Sequence, residues 1–125
     1  MTRVLIADDS IFQRDNLRFL LELYDYTVLE ASNGAQALGM VTTYEPDCVV
    51  LDIIMPEMSG LEVLAALSQR HPEIPVIVLT ADIQHSTCEK CRELGAVAVL
   101  HKPVEGEQLQ QTIRQALAVD EEGHS

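Results

Sequence analysis

Five polar residues of this chain stand where apolar runs stop. Asp8 and Asp9 follow Val4-Leu5-Ile6-Ala7, Asp52 follows Cys48-Val49-Val50-Leu51, Thr80 follows Val76-Ile77-Val78-Leu79, and Lys102 follows the run that ends at Leu100-His101. Three carboxylates brought to one place raise each other's proton affinity and call for a cation. Carboxylate oxygens with few other protein donors suit Mg2+, which keeps several waters and shares its shell with phosphate oxygens. A carboxylate with one oxygen free can attack a phosphoryl group and carry it as an aspartyl-phosphate. The group in transfer is negative, so an ammonium and a hydroxyl beside it, Lys102 and Thr80, supply charge and a donor. Taken singly, each residue has a plainer explanation. Acidic pairs favour helix N-termini, a strand-end Asp or Thr caps the next turn, and Lys-Pro is a common solvated turn. The argument rests on their joint occurrence at successive strand ends.

Those residues need a scaffold that collects strand ends on one edge. Val4 to Ala7, Thr27 to Ala31, Cys48 to Leu51, Val76 to Leu79 and Ala96 to Leu100 are short apolar runs that read as strands. Between them lie helical patterns. Ser10 is the expected N-cap of the first, whose stripe is Leu17, Leu20, Leu21 and Tyr24. Asn33-Gly34 introduces a weaker second helix with Ala35, Leu38 and Val41, in which Gly39 is a blemish. Met55-Pro56 forces an extended turn, Gly60 opens the third helix (Leu61, Leu64, Leu67), and His71-Pro72 ends it. A fourth helix from about Ile83 to Leu94 ends at Gly95, and the last carries Leu109, Ile113, Ala116 and Leu117. Strands that are apolar throughout, alternating with helices, predict an α/β fold: a doubly wound, five-stranded parallel sheet with helices on both faces. In such a sheet the carboxyl ends of the strands share one edge, where ligands bind.

The totals fit one domain. At 125 residues the chain can bury a core without disulfides. No apolar run approaches the roughly 20 residues of a membrane span, and the N-terminus meets two acids after four apolar residues, so a cytoplasmic protein is expected. The formal net charge of −12 repels nucleic acid and anionic lipid, so neither is an expected direct partner. Cys48, Cys88 and Cys91 are expected as thiols.

The set Asp8-Asp9, Leu51-Asp52-Ile53-Ile54-Met55-Pro56 through Gly60, Thr80-Ala81 and Lys102-Pro103 resembles the receiver domain of two-component response regulators, over essentially the whole chain to about Leu117. The chain is similar to the stand-alone, chemotaxis-type members. The resemblance implies a flavodoxin-like sheet in the order 2-1-3-4-5, with the receiver over residues 1–119 and a polar tail over 120–125. It implies that Asp52 accepts a phosphoryl group from the phosphohistidine of a sensor histidine kinase or phosphotransfer protein. Asp9 and Asp52 would ligate Mg2+ directly, Asp8 mainly through water, and the backbone carbonyl of Ile54 would add a ligand. Thr80 and Lys102 would bind the phosphoryl group, with Pro103 following a cis peptide bond. The implied outcome is a phospho-acceptor switch with autophosphorylation and autodephosphorylation only, not an enzyme with its own product. Its target would dock on the face of the fourth helix, fifth strand and fifth helix, and a phosphatase is a further partner class.

The sequence also departs from the family. Three residues before Lys102, where many receivers place a rotating aromatic, stands Val99, so coupling from Thr80 to the surface must be built differently. Ile54 and Asp82 occupy the positions that influence loss of the phosphoryl group. Cys88 and Cys91 lie three apart on a helix; Cys91 is expected against the sheet and Cys88 toward the docking face. His101 should point away from the pocket by strand alternation, and His71 reads as a loop residue. Three rivals remain: an aspartate-nucleophile phosphohydrolase, disfavoured because Ile54 offers no acid two residues after Asp52; a pseudo-receiver that binds without phosphorylation; and a receiver cut from a longer regulator.

Overall fold

The computed structural model describes residues 2–55, 58–81 and 84–122, with side chains through Ala118. Strands and helices alternate: β1 (Arg3–Ala7), α1 (Ile11–Glu22), β2 (Thr27–Ala31), α2 (Gly34–Tyr44), β3 (Cys48–Leu51), α3 (Gly60–Arg70), β4 (Val76–Thr80), α4 (His85–Glu93), β5 (Ala98–His101) and α5 (Gly106–Glu122). All strand pairs are parallel, in the order β2-β1-β3-β4-β5. This is the expected doubly wound sheet.

The sheet divides the core in two, as strand alternation requires. Leu5, Ala7, Val49, Leu51 and Val78 face one way and pack with Ala37 and Val41 of α2, Val63, Leu64 and Leu67 of α3, and Cys91 of α4. Val4, Ile6, Cys48, Val50, Ile77 and Leu79 face the other way, against Leu17 and Leu21 of α1 and Leu109 and Ile113 of α5. At roughly 1.5–3 kcal/mol for each large side chain fully withdrawn from water, these two layers dominate the stability of the fold.

Helix starts follow local hydrogen-bond chemistry. Ser10, Asn33 and Ser59 are N-caps, each accepting from the backbone N–H three residues on (Gln13, Gln36 and Glu62). Gly95, at φ +110°, follows the end of α4; its Cβ position lies 2.2 Å from Ser68 Oγ, so a side chain there meets both strain and a neighbour.

Some expectations shift. In α2 the buried residues are Gly34, Ala37 and Val41, while Ala35 is exposed: the inward stripe begins at Gly34, where α3 lies close, with Val63 Cγ2 only 2.6 Å from where a Gly34 Cβ would be. In α1 the stripe narrows to Leu17 and Leu21, with Tyr24 exposed beyond the helix end. β5 starts at Ala98, although Val97 N–H already donates to Val76 O at 2.9 Å. Helix α4 begins at His85, and the expected start at Ile83 lies outside the described residues, as do Asp82 and the Pro56 part of the Met55-Pro56 turn. Helix α5 runs on through Glu122, into the stretch read as tail, and Gly123–Ser125 lie outside the described residues. Among the described residues no helix is long and apolar enough to cross a membrane.

Candidate functional site

The sheet edge builds the site by extending its own ladder past the strands. Asp8 N–H donates to Ala31 O of β2 (3.1 Å), Asp52 N–H to Ala7 O of β1 (2.9 Å), and Lys102 N–H to Thr80 O of β4 (2.9 Å). Each residue is therefore fixed by a backbone bond to the final residue of the neighbouring strand. Alternation then sets direction. Asp8 continues the series Val4, Ile6; Asp52 continues Cys48, Val50; Lys102 continues Ala98, Leu100. All three fall on the same side, and they meet.

Lys102 Nζ donates to Asp8 Oδ2 at 2.9 Å and to Asp52 Oδ2 at 3.2 Å. The second oxygen of each carboxylate takes a backbone donor: Ser10 N–H to Asp8 Oδ1 (2.9 Å) and Ile54 N–H to Asp52 Oδ1 (3.0 Å). Asp8 and Asp52 are only 2 % and 6 % exposed, whereas Asp9 lies open to solvent. Thr80 is completely buried at the end of β4, on the opposite series from the other three. His101 is exposed, as expected from alternation, and the Lys102–Pro103 peptide bond is cis.

Electrostatics follow from this packing. Burial pushes the Asp52 carboxyl above its usual range, as does the neighbouring Asp8 charge; the Ile54 amide and Lys102 pull it back only in part. Burial works against the Lys102 ammonium, but the hydrogen bonds and charges of Asp8 and Asp52 outweigh it, and the group titrates above its ordinary value. Two carboxylates thus share one ammonium, and a third carboxylate stands beside them.

Asp8, Asp9 and Asp52 each offer an oxygen within 4.8 Å of the others. Opposite ligands of an octahedral Mg2+ are about 4.2 Å apart, so the cluster fits a small hard cation. Each carboxylate oxygen can accept more than one bond, so the donors already present do not exhaust the set.

The family model for the response regulator receiver domain matches residues 4–114 of the chain. The chain belongs to the response regulator receiver family. It is 38% identical over 119 residues to the transcriptional regulatory protein YdfI of Bacillus subtilis, covering 94% of this chain and 55% of that protein. It is 37% identical over 115 residues to the response regulator MprA of Mycobacterium ulcerans, covering 92% of this chain and 50% of that one. The chain thus spans about half the length of these curated relatives. Among solved structures, a CheY-like receiver domain protein from Methanospirillum hungatei superposes with a TM-score of 0.94 at 26% identity, covering 98% of both chains. The chemotaxis protein CheY4 of Vibrio cholerae gives 0.88 at 29% identity, covering 94% of this chain and 99% of its own. Receivers of this family serve as phospho-acceptor switches in signalling between histidine kinases or phosphotransfer proteins and downstream targets.

Cys91 is fully buried against the sheet, as expected. Cys88 is buried as well, at 7 % exposure. Arg14 and Glu30, which the sequence reading passed over, proved to border the site. Arg14 Nη1 donates to Asp8 O at 2.7 Å, and its Nε donates to Glu30 Oε1 at 3.2 Å. The available signal was Glu30 itself, a charge placed inside an otherwise apolar strand.

Proposed function

We propose that this receiver accepts a phosphoryl group on Asp52 in a Mg2+-dependent reaction and relays it as a change in a protein-binding face. The observation that carries the reading is the Asp8–Lys102–Asp52 arrangement: Asp52 Oδ2 faces the ammonium, and Asp9 and Asp8 stand beside it. In the reaction an Asp52 oxygen attacks phosphorus, the phosphorus–nitrogen bond of a phosphohistidine breaks, and its electron pair leaves with the imidazole of the kinase or phosphotransfer protein. Lys102, already within bonding distance of Asp52 Oδ2, supplies positive charge to the new phosphoryl oxygens. The Ile54 amide holds the other Asp52 oxygen and so sets the direction from which Oδ2 can attack. Thr80, at the end of β4, contributes the hydroxyl, and its carbonyl holds Lys102 in register. Asp8, Asp9, Asp52 and the Ile54 carbonyl would hold Mg2+, which when bound neutralises charge on the transferring group.

The output surface is proposed on α4, β5 and α5. A groove of about 400 Å³ between β5 and α5, lined by Val97, Ala98, Thr112, Gln115 and Ala116, supports that placement, with Val97 54 % exposed. Val99, which stands at the position of the usual rotating aromatic, is half-buried against the α2/α3 layer of the core. Signal from Thr80 to the groove would therefore run through backbone and β5 packing and not through a swinging ring.

The test is incubation with MgCl2 and a small phosphodonor, followed by intact-mass measurement, on the wild type and Asp52→Asn. One phosphoryl adduct that requires Mg2+ and is lost in the variant supports the reading. No adduct under any donor or metal condition overturns it and leaves a binding module without phosphorylation.

A further inference from the structure

Asp9 is the exposed member of the acidic cluster, yet the chain on either side of it is tied down. The carbonyl of the peptide before it, Asp8 O, accepts from Arg14 Nη1 at 2.7 Å. The N–H of the peptide after it, on Ser10, donates to Asp8 Oδ1 at 2.9 Å. Both peptide planes that flank Asp9 are thereby oriented, one of them by a side chain from the next helix.

Arg14 is in turn held. Its Nε donates to Glu30 Oε1 at 3.2 Å, and Arg18 of the same helix pairs with Glu30 Oε2. The Arg14 and Glu30 side chains are only 14 % and 19 % exposed, against 44 % for Arg18. An exposed ion pair would be of little consequence. This one is sheltered, and its geometry uses two divergent donors of one planar guanidinium, which a lysine ammonium cannot reproduce. Glu30 also offsets the Arg14 charge, so that the guanidinium grips a neutral carbonyl and does not compete with a cation for the carboxylates.

We propose that Arg14, braced by Glu30, is a positioning residue that orients the Asp8–Asp9 peptide and so sets the affinity of the acidic pocket for a divalent cation. The inference rests on the Mg2+-dependent reading above. Groups that orient metal ligands from behind typically change affinity by 10–100-fold when removed.

The experiment is titration calorimetry of the full chain with MgCl2, on the wild type, Arg14→Lys, Arg14→Met, Glu30→Gln and, as control, Arg18→Met. Arg18 shares the ion pair but does not reach Asp8, so its loss has the structural cost without the positioning effect. Both Arg14 variants should bind Mg2+ about tenfold more weakly, with Glu30→Gln intermediate and Arg18→Met within about twofold of wild type. Urea unfolding of each variant identifies any that fail to fold; Arg14→Lys, which keeps the charge, guards against that outcome for Arg14→Met. With a phosphodonor, the Arg14 variants should need about tenfold more Mg2+ for half-maximal phosphorylation yet reach the wild-type rate at saturation, a split that general loosening of the fold does not produce. Equal Mg2+ affinity in wild type and Arg14→Lys overturns the positioning role alone. Absence of Mg2+ binding by the wild type overturns the underlying reading and this one with it.

Discussion

Two glycines make a paired test of the fold's tightest point. Gly60 opens α3, and a Cβ there would lie 2.1 Å from Ile53 Cα and 2.5 Å from Asp52 O. Carbon contacts sit comfortably at about 3.5–4.0 Å, so Gly60→Ala must drive the helix start and the β3–α3 turn apart by roughly 1.5 Å. Both offending atoms are backbone, and the Gly60 N–H to Ile53 O bond of 3.0 Å joins the same two segments. No rotamer can relieve the clash. Overpacking of this kind costs about 1–3 kcal/mol, and the better helix propensity of alanine recovers less than about 1 kcal/mol. The net expectation is a loss of about 1–2 kcal/mol, or roughly 3–8 °C in Tm for a domain of this size. The displaced atom belongs to Asp52, so phosphoryl uptake should slow as well. Gly39 is the opposite case: it lies exposed within α2, and a Cβ there meets nothing within 4 Å. Gly39→Ala should stabilise by about 0.5–1 kcal/mol and leave phosphorylation unchanged. Urea unfolding and intact-mass time courses on both variants suffice. A Gly60→Ala protein as stable and as readily phosphorylated as wild type would refute the reasoning.

Asp52→Asn should raise stability at neutral pH in the absence of divalent cations. The folded-state pKa of Asp52 lies above its ordinary 3.8, so the native state binds this proton more tightly and loses stability as pH rises through that folded pKa; the amide removes the cost. Melting curves from pH 3.5 to 7.5 should converge at the acid end, and parallel curves would contradict this. Lys102→Met should cost about 2–3 kcal/mol in urea at pH 7, because it strands two carboxylates of 3 % and 8 % side-chain exposure, with part of the loss recovered by added Mg2+. Burial pushes the Cys48 thiol up to about 12, and Cys88 and Cys91 are buried too, so native protein at pH 8 should resist iodoacetamide at all three while unfolded protein takes three adducts. Rapid labelling of native Cys48 would show that the β3 core opens far more often than its packing implies.

The fold and the pocket were legible in the sequence to different depths. Apolar strands that stop at Asp8, Asp52, Thr80 and His101-Lys102 announced both the parallel sheet and the edge at which chemistry would gather, since strand period and strand direction fix those placements. Ser10, Asn33 and Gly95 could be read as helix boundaries because their roles depend on local backbone chemistry. Burial on helices was harder to assign. Ala37 and not Ala35 faces inward because the buried stripe runs through Gly34, Ala37 and Val41, in phase with the close approach of α3 at Gly34, a fact about a neighbour distant in sequence. The Arg14–Glu30 brace joins α1 to β2 across sixteen positions, and only the charge within β2 hinted at it.

The three ladder bonds that continue the sheet beyond its strands hold Asp8, Asp52 and Lys102 by main-chain atoms alone. No side-chain exchange at those positions deletes them, proline aside. The pocket is thus a socket whose pins can be changed while the spacing of the holes is kept. A library that randomises residues 8, 9, 52, 80 and 102 would sample chemistry on a constant frame, and failures in it would report on charge and shape and not on a lost backbone. The same frame suits amide exchange as a readout: protection at residues 8, 52 and 102 should persist across such a library, rising and falling with the whole sheet.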